Sequence, residues 1–227
     1  MRNSIFAPSV WTMNKCDSTL ARVKSVRATD GGAHLILVIE SGEGENMLRE
    51  TLTLCTARLA RRPLVGEIDE EMLAYYRYES EVAKALQTGL RAISYSYGSA
   101  VQIKRKLRDK GFSAKVAEEV MGELESRGLF SEAEAAVREA ERCLAKLWGD
   151  IRIQLHLQSK GYSNEAYGAA YLRMLEEDGV ERCRRLLQKR RITALPTDKK
   201  EAGKMIAMLM RYGYNSVEIR RAFEKEE

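Results

Sequence analysis

The sequence LRDKGFS at residues 107–113 decides the fold, because similar phrases return as LQSKGYS at 157–163 and LMRYGYN at 209–215. Their glycines lie 50 and 52 residues apart, which indicates an internal repeat. Each glycine follows apolar residues at helical spacing and precedes an aromatic residue and then Ser or Asn. The pattern predicts a helix that ends at a left-handed glycine, an aromatic side chain that packs over that end, and a polar N-cap for the next helix.

Further amphipathic helices complete each repeat. Apolar stripes predict a second helix after each glycine. These stripes run over 116–124, 166–174 and 219–223. A third helix is predicted from Ser131, with Glu134 as its partner in a capping box, and from about Val180 in the next repeat. We therefore predict a mainly α fold of tandem three-helix repeats that form an elongated, curved array, because each repeat contacts mainly its neighbours.

The first part of the chain has a different character. Three stretches rich in Val, Ile, Leu and Thr alternate with glycine-containing turns and predict a small antiparallel β meander. These stretches are 20–29, 33–40 and 48–54, with turns at 30–32 and 42–45. A helix is predicted from Cys55 that stops before Pro63, since proline cannot continue it. Asp69 is the predicted N-cap of a long helix that runs through Leu90.

These patterns predict the domain organisation. We expect an N-terminal tail, a β-rich segment, a connecting helix and three helical repeats, of which the last is truncated. The predicted bounds are 1–18, 19–66, 67–91, 92–141, 142–191 and 192–227.

Composition and cysteine usage narrow the class of protein. The chain has 227 residues, of which 44% are hydrophobic and 31% charged, as in soluble helical proteins. Its four cysteines lie far apart without a C-x-x-C pair, which predicts neither a zinc site nor a disulfide framework. Residues 1–10 lack the apolar core of a signal peptide, and no stretch has the length of a membrane span. We therefore expect a cytoplasmic protein.

The positive charge is concentrated in the middle repeat. Residues 142–191 carry 11 Lys and Arg against 6 Asp and Glu, whereas the whole chain has a net charge of +5. The densest part of this basic stripe is Arg182, Arg184, Arg185, Lys189, Arg190 and Arg191, preceded by Arg152, Lys160 and Arg173. Such a stripe fits an anionic partner, either a nucleic acid backbone or an acidic protein groove. A solvated helix face is the equally weighted alternative.

The sequence contains no recognisable catalytic pattern. It lacks a phosphate-binding loop, and the acidic groups at 118–119 and 176–178 are neighbours that point around a helix rather than converge. His34 and His156 have no partner at metal-ligand spacing, and His156 between two leucines is interpreted as a packing or surface residue. We therefore expect no enzymatic activity, no cofactor and no metal.

The aromatic residues after the repeat glycines allow two interpretations. Phe112, Tyr162 and Tyr214 could stack on nucleic acid bases. Their fixed position in the repeat favours the other interpretation, in which they close the helix ends as core residues.

The repeats and the strand-rich leader together resemble the RecX family of recombinase regulators. The resemblance rests on IKRKLRDKGF at 103–112 and on GDIR at 149–152, which leads to Leu155, Leu157 and the Lys-Gly-Tyr of 160–162. It covers nearly the whole chain, from about residue 20 to residue 223.

Two segments depart from the family pattern. The usual Tyr-Arg-Pro-Arg-Ser entry to the first repeat reads YSYGS at 95–99, so that two arginines are missing. The acidic pair expected after the second helix reads Ser-Glu at 131–132. The chain is therefore identified as a divergent member.

The resemblance implies a cytoplasmic bacterial regulator that binds RecA, lies along the deep groove of the RecA filament on single-stranded DNA, and inhibits its growth or activity in DNA repair, recombination and the SOS response. We expect a monomer, with single-stranded DNA as an open second partner. Exposed basic residues of the first two repeats are the candidate contacts to RecA or DNA. They are Lys104, Arg105, Arg108, Lys110, Arg152, Lys160, Arg184, Arg185, Arg190 and Arg191.

Two other functions stay open. A helical DNA-binding transcriptional regulator would place one recognition helix in the major groove and would normally dimerise, yet neither a dimerising heptad nor a distinguished recognition helix is visible in the sequence. A protein-only adaptor without affinity for nucleic acid is the other alternative, and the basic middle repeat disfavours it.

Overall fold

A computed structural model of the chain describes residues 21–42, 46–95 and 98–224. The predicted tail over 1–18, most of the predicted turn at 42–45, and residues 96–97 of the YSYGS segment lie outside these ranges. The chain divides between Lys84 and Ala85 into an N-terminal unit and a C-terminal unit.

The N-terminal unit contains a four-stranded antiparallel sheet. Its strands are β1 (Ala21–Thr29), β2 (His34–Ser41), β3 (Leu48–Cys55) and β4 (Gly66–Ile68), in the order β3-β2-β1-β4. The first three strands confirm the predicted meander. The short β4 pairs with the start of β1, and no sequence pattern predicted it.

One face of the sheet forms the core of this unit. Along β2, Leu35, Leu37 and Ile39 are buried and alternate with more accessible residues, as expected for a strand with one packed face. Leu73 and Tyr76 of the following helix complete the core. That helix is α1 (Glu70–Tyr95).

The segment around Cys55 differs from the prediction. The predicted helix is wrong, because β3 continues through Cys55 and is followed only by a 3-10 turn over Thr56–Arg58. The ladder to β2 extends this far, since the N–H of Thr56 donates to the carbonyl of Ala33 at 2.9 Å. The predicted cap of α1 is confirmed, as the N–H of Met72 donates to Oδ1 of Asp69 at 2.7 Å.

The described part of the C-terminal unit is helical. Its helices after α1 are α2 (Ala100–Asp109), α3 (Ala114–Ser126), α4 (Glu132–Ala145), α5 (Asp150–Ser159), α6 (Asn164–Leu175), α7 (Gly179–Lys189), α8 (Lys199–Arg211) and α9 (Ser216–Phe223). These helices form three-helix groups that follow a small antiparallel sheet in the chain. This arrangement confirms the predicted mainly α fold class. None of the helices in the described ranges combines the length and apolar character needed to cross a membrane.

The repeated glycines end α2, α5 and α8 as predicted. Gly111, Gly161 and Gly213 have φ values of 92°, 74° and 96°. The aromatic residue after each glycine donates its N–H to the carbonyl of the leucine five positions earlier, at 3.2–3.3 Å. This is the Schellman arrangement, which satisfies carbonyls at the helix end. Tyr162 and Tyr214 are buried and Phe112 is half-buried, which supports their interpretation as residues that close helix ends.

The helix starts are capped by short polar side chains. Ser113 and Ser163 each accept a hydrogen bond from a backbone N–H of the following helix, at 3.2 Å. Ser131 likewise accepts from the N–H of Glu134 at 3.3 Å, whereas the Glu134 carboxylate lies 3.5 Å from Arg138. Reciprocal capping boxes occur at α2 and α9.

The helices pack in groups whose boundaries differ from the boundaries of the sequence repeat. Helix α4 packs against α6, and α7 packs against α9. In the same relationship, α1 approaches α3 at Gly89, where an added Cβ would lie 3.1 Å from Leu124. The packing therefore favours three groups: the end of α1 with α2 and α3, α4–α6, and α7–α9. Each group begins one helix earlier than the glycine-based repeat, and the domain bounds predicted above stay a prediction.

Candidate functional site

Neighbouring three-helix groups meet at two equivalent joints. At each joint, the start of one helix lies on the glycine end of a helix in the next group. Ser99 Oγ, before α2, donates to the carbonyl of Lys160 at the end of α5, at 2.6 Å. The N–H of Gly149, before α5, donates to the carbonyl of Tyr212 at the end of α8, at 2.7 Å. A side chain at Gly149 would collide with Gly213, so glycine is needed for this close approach.

The second joint carries alternating aromatic rings and guanidinium groups. The Arg152 guanidinium lies 3.9 Å from the ring centroid of Trp148 and 5.5 Å from that of Tyr212. The Arg190 guanidinium lies 5.0 Å from the Tyr212 centroid and donates to the Tyr212 hydroxyl at 2.6 Å. We call Trp148, Arg152, Tyr212 and Arg190 the cation–aromatic stack. Lys146 adds another positive charge, 5.3 Å from the Trp148 centroid.

A buried carboxylate lies next to the stack. Oε1 of Glu139 is 2.7 Å from both Lys160 Nζ and His156 Nε2, and Oε2 is 3.3 Å from Arg142. Burial alone would raise the pKa of Glu139, but the hydrogen bonds from Lys160 and His156 outweigh it and hold the pKa below its usual value. The His156 ring packs edge-on against Trp148, with 5.2 Å between centroids. Glu139 therefore orients His156, whose ring contacts Trp148.

The same region brings together three possible metal ligands. The donor atoms of Glu139, Cys143 and His156 all lie within 4.8 Å of one another, although His156 has no partner at metal-ligand spacing along the sequence. The electrostatics do not fit a divalent cation, because Lys160 and Arg142 already neutralise Glu139. Burial also raises the pKa of Cys143 to about 11, so the thiol is protonated at neutral pH. We interpret the three side chains as a structural cluster.

Five of the ten predicted contact residues form ion pairs. These pairs are Lys104–Glu118 at 2.6 Å, Arg105–Asp109 at 3.9 Å, Lys160–Glu139 at 2.7 Å, Arg184–Glu181 at 3.7 Å and Arg185–Glu177 at 3.0 Å. Arg184 also donates to the carbonyl of Arg221 at 3.3 Å. Lys160 and Arg184 are mostly shielded from solvent, so part of the predicted set stabilises contacts within the chain.

The other five are placed differently. Arg152 and Arg190 belong to the cation–aromatic stack. Arg108, Lys110 and Arg191 are exposed, and none of them forms an ion pair within the described part of the chain. Arg108 and Lys110 flank the glycine end of α2, whereas Arg191 follows α7. Of the ten predicted side chains, Arg152 and Arg190 thus meet at the ring of Tyr212. The three exposed side chains lie outside the stack.

Arg182 of the predicted basic stripe is not on the surface. Its side chain is completely buried in α7 and pairs with Asp150, the first residue of α5. Nε and Nη1 of Arg182 have no hydrogen-bond partner among the described residues. Glu218 lies in the same cluster, and its pKa is raised chiefly by burial. This residue therefore links two three-helix groups instead of facing a partner.

Sequence reasoning did not find the aromatic members of the stack. Trp148 precedes Gly149 and Tyr212 precedes Gly213, and the two are far apart along the chain. The available signal was the pairing of an aromatic residue with a glycine at each side of the joint. Only the close approach of the two glycines brings those rings to one arginine.

Comparison with known proteins finds family models that match two of the three-helix groups. The model described as "RecX, first three-helix domain" matches residues 85–124, and "RecX, third three-helix domain" matches 176–223. Both matching models describe domains of the RecX family, and together they cover less than half of the chain. These two matches coincide with the end of α1 through α3 and with α7–α9, in agreement with the packing groups.

Similar proteins carry the same family name. A regulatory protein RecX of Halalkalibacterium halodurans is 26% identical over 69% of the chain and 60% of its own length. A regulatory protein RecX of Leuconostoc mesenteroides is 33% identical over 26% of the chain and 22% of its own length. The chain thus spans less than two thirds of each of these relatives. Both are regulatory proteins by name.

Two solved structures share the fold. A crystal structure of regulatory protein RecX has a TM-score of 0.69 and 19% identity, covering 89% of this chain and 98% of that chain. A crystal structure of RecX from Lactobacillus salivarius has a TM-score of 0.54 and 20% identity, covering 63% of this chain and 94% of that chain. At these identities the likeness concerns the fold alone.

Proposed function

We propose that this chain is a RecX-family regulator that binds RecA and the RecA filament on single-stranded DNA, and inhibits or modulates its activity in DNA repair and recombination. The observation that carries the proposal is the presence of the family's first and third three-helix domains in one chain. Regulatory proteins named RecX are among its relatives. A cytoplasmic monomer that acts without catalysis is part of the proposal.

The joints between three-helix groups support binding to an extended partner. Because a backbone or hydroxyl hydrogen bond fixes each joint, neighbouring groups present their surfaces at a set spacing. Several modest contacts on a rigid scaffold add up in affinity, since the later contacts form without a new loss of rotational freedom. A filament offers such repeated contacts.

The exposed cations support an anionic component of the interface. Arg108, Lys110 and Arg191 carry charges that no carboxylate neutralises within the described ranges. Such charges attract a polyanion over a Debye length and release counterions from it on binding. We propose these three, with the stack, as the members of the predicted contact set that face RecA or DNA.

Direct binding tests this proposal. The purified chain is compared on immobilised RecA filaments, on RecA without DNA and on bare single-stranded DNA, over a series of salt concentrations. We expect the strongest binding on the filament, and weaker binding by the Arg108→Glu, Lys110→Glu double variant. The double variant Glu125→Lys, Glu141→Lys raises the net charge by as much as the first variant lowers it, and it does so on α3 and α4. It serves as a control for total charge. Equal binding to bare DNA and filament would instead favour a DNA-binding regulator, and no binding to any of the three would contradict the proposal.

A further inference from the structure

We propose that the cation–aromatic stack is a binding site for unpaired bases of single-stranded DNA. This inference deepens the proposed function and rests on it for the biological setting. It adds a specific mode of contact, in which bases pack face to face on the flat side chains of the site while phosphates contact its positive charges.

The geometry of the stack is the first argument. Trp148, Arg152, Tyr212 and Arg190 follow one another as ring, guanidinium, ring and guanidinium, with ring-to-cation separations of 3.9, 5.5 and 5.0 Å. All four groups are flat, and solvent reaches at least part of each side chain. Aromatic rings and guanidinium planes are the groups on which proteins stack nucleic acid bases.

The accessibility of the rings is the second argument. Tyr162 and Tyr214, which close helix ends, are buried and donate their hydroxyls to main-chain carbonyls of Ala135 and Leu147. Trp148 and Tyr212 keep part of their surface in contact with solvent. The Tyr212 hydroxyl accepts its hydrogen bond from an exposed arginine instead of anchoring to the core. Part of each of these two rings is thus accessible to a partner, while Tyr212 also packs against the core of α7–α9.

The charge balance is the third argument. Neither Arg152 nor Arg190 forms an ion pair with a carboxylate in the described part of the chain, in contrast to Arg184 and Arg185. Arg152 donates instead to the carbonyl of Arg211, at 3.5 Å. Two uncompensated guanidinium groups against aromatic faces therefore provide both a surface for stacking and a charge for phosphate.

Unpaired bases fit this site better than a duplex. In a double helix the faces of the bases are covered by their neighbours, so that only phosphates and groove edges would be offered to the stack. A single strand can turn individual bases out, and every base has a face to stack. We therefore expect little dependence on sequence and a clear preference for single strands.

An abasic oligonucleotide separates stacking from charge. Binding of the full chain is measured by anisotropy with labelled oligothymidine, with an abasic strand of equal phosphate number, and with a duplex. We expect oligothymidine to bind about tenfold more tightly than the abasic strand, as one to two stacked bases would give. Equal affinity for the two strands would overturn the proposal and reduce the site to a phosphate contact.

Variants then locate the effect. Arg152→Lys with Arg190→Lys keeps both charges but removes both guanidinium planes, so the preference for oligothymidine should fall several-fold while binding to the abasic strand is retained. Trp148→Leu should act in the same direction. Arg220→Lys is the matched control, because it makes the same exchange at an exposed arginine of α9 that belongs neither to the stack nor to the predicted contact set. An unchanged preference in folded stack variants, verified by circular dichroism, would contradict the assignment.

A second readout distinguishes this inference from the proposed function. Trp11→Phe leaves Trp148 as the sole tryptophan, and its fluorescence should be quenched by oligothymidine and little by the abasic strand. RecA inhibition is measured with the same stack variants. Loss of the base preference with intact RecA inhibition supports both proposals, whereas absence of the preference in the parent chain, with inhibition intact, overturns only the inference about bases.

Discussion

Gly149 and Gly213 approach so closely that a Cβ atom on Gly149 would overlap the carbonyl group of Gly213. This contact places the start of α5 on the end of α8. It also brings Trp148 and Tyr212, the residues before the two glycines, to the same guanidinium group, that of Arg152. The joint between groups therefore has a structural role and also forms the candidate binding surface.

The first prediction compares two glycines that share a backbone conformation. Gly111→Ala should cost about 1–2 kcal/mol, because alanine is strained at positive φ but meets no atom within 4 Å there. Gly213→Ala should cost about 3 kcal/mol or more, because its Cβ would also lie 2.5 Å from the backbone N of Arg152. Urea unfolding of both variants measures the difference. Equal losses would show that the joint contributes nothing to stability.

Much of the fold follows from local sequence signals. The glycine ends of α2, α5 and α8, the N-cap at Asp69 and the first three strands each depend on neighbouring residues, so the sequence predicts them directly. The segment after Cys55 was predicted wrongly because its conformation is fixed by hydrogen bonds to β2, which local propensity does not include.

The candidate site was less predictable for the same reason. The sequence identifies Arg152 and Arg190 as basic, but their common contact with Tyr212 requires the joint between two groups. Arg182 belongs to the same basic run, yet it is buried because Asp150 at the start of α5 pairs with it. Charge density along a chain does not distinguish these two environments.

The second prediction concerns the buried pair of Arg182 and Asp150. Asp150→Asn should destabilise the chain by about 3 kcal/mol, because it leaves a buried guanidinium without its counter-charge. Combining it with Arg182→Met should recover part of this loss, since the unpaired charge is removed. Denaturant unfolding of the single and double variants measures both effects. If the losses of unfolding free energy caused by the two substitutions simply add in the double variant, this coupling is contradicted.

The third prediction is a pH dependence at Glu139. Its folded-state pKa lies below the ordinary value of 4.5, so its stabilising contribution is complete above that value and is lost as the pH falls through the folded pKa. Stability of the parent should therefore decrease more steeply below pH 4.5 than that of Glu139→Gln, which should be less stable at neutral pH. Parallel profiles from thermal unfolding at a series of pH values would disprove the role of this carboxylate.

The fourth prediction uses two charge reversals of equal size. Arg190→Glu with Arg191→Glu should weaken binding to the RecA filament at least tenfold, because these arginines have no carboxylate partner in the described ranges. Arg184→Glu with Arg185→Glu should have a smaller effect on binding, since Glu181 and Glu177 already pair with these arginines. Filament binding at low and high salt measures both. Equal losses would indicate that total charge alone governs attraction.

RecA's DNA-dependent ATP hydrolysis measures whether this chain regulates RecA, and filament length is recorded in parallel by electron microscopy. The chain is added to RecA on single-stranded DNA in amounts from well below one copy per RecA protomer up to an excess. We expect lower hydrolysis and shorter filaments already at the substoichiometric amounts, because a few copies bound along or at the end of a filament affect many protomers. Unchanged hydrolysis and unchanged filament length under an excess of folded protein would contradict it.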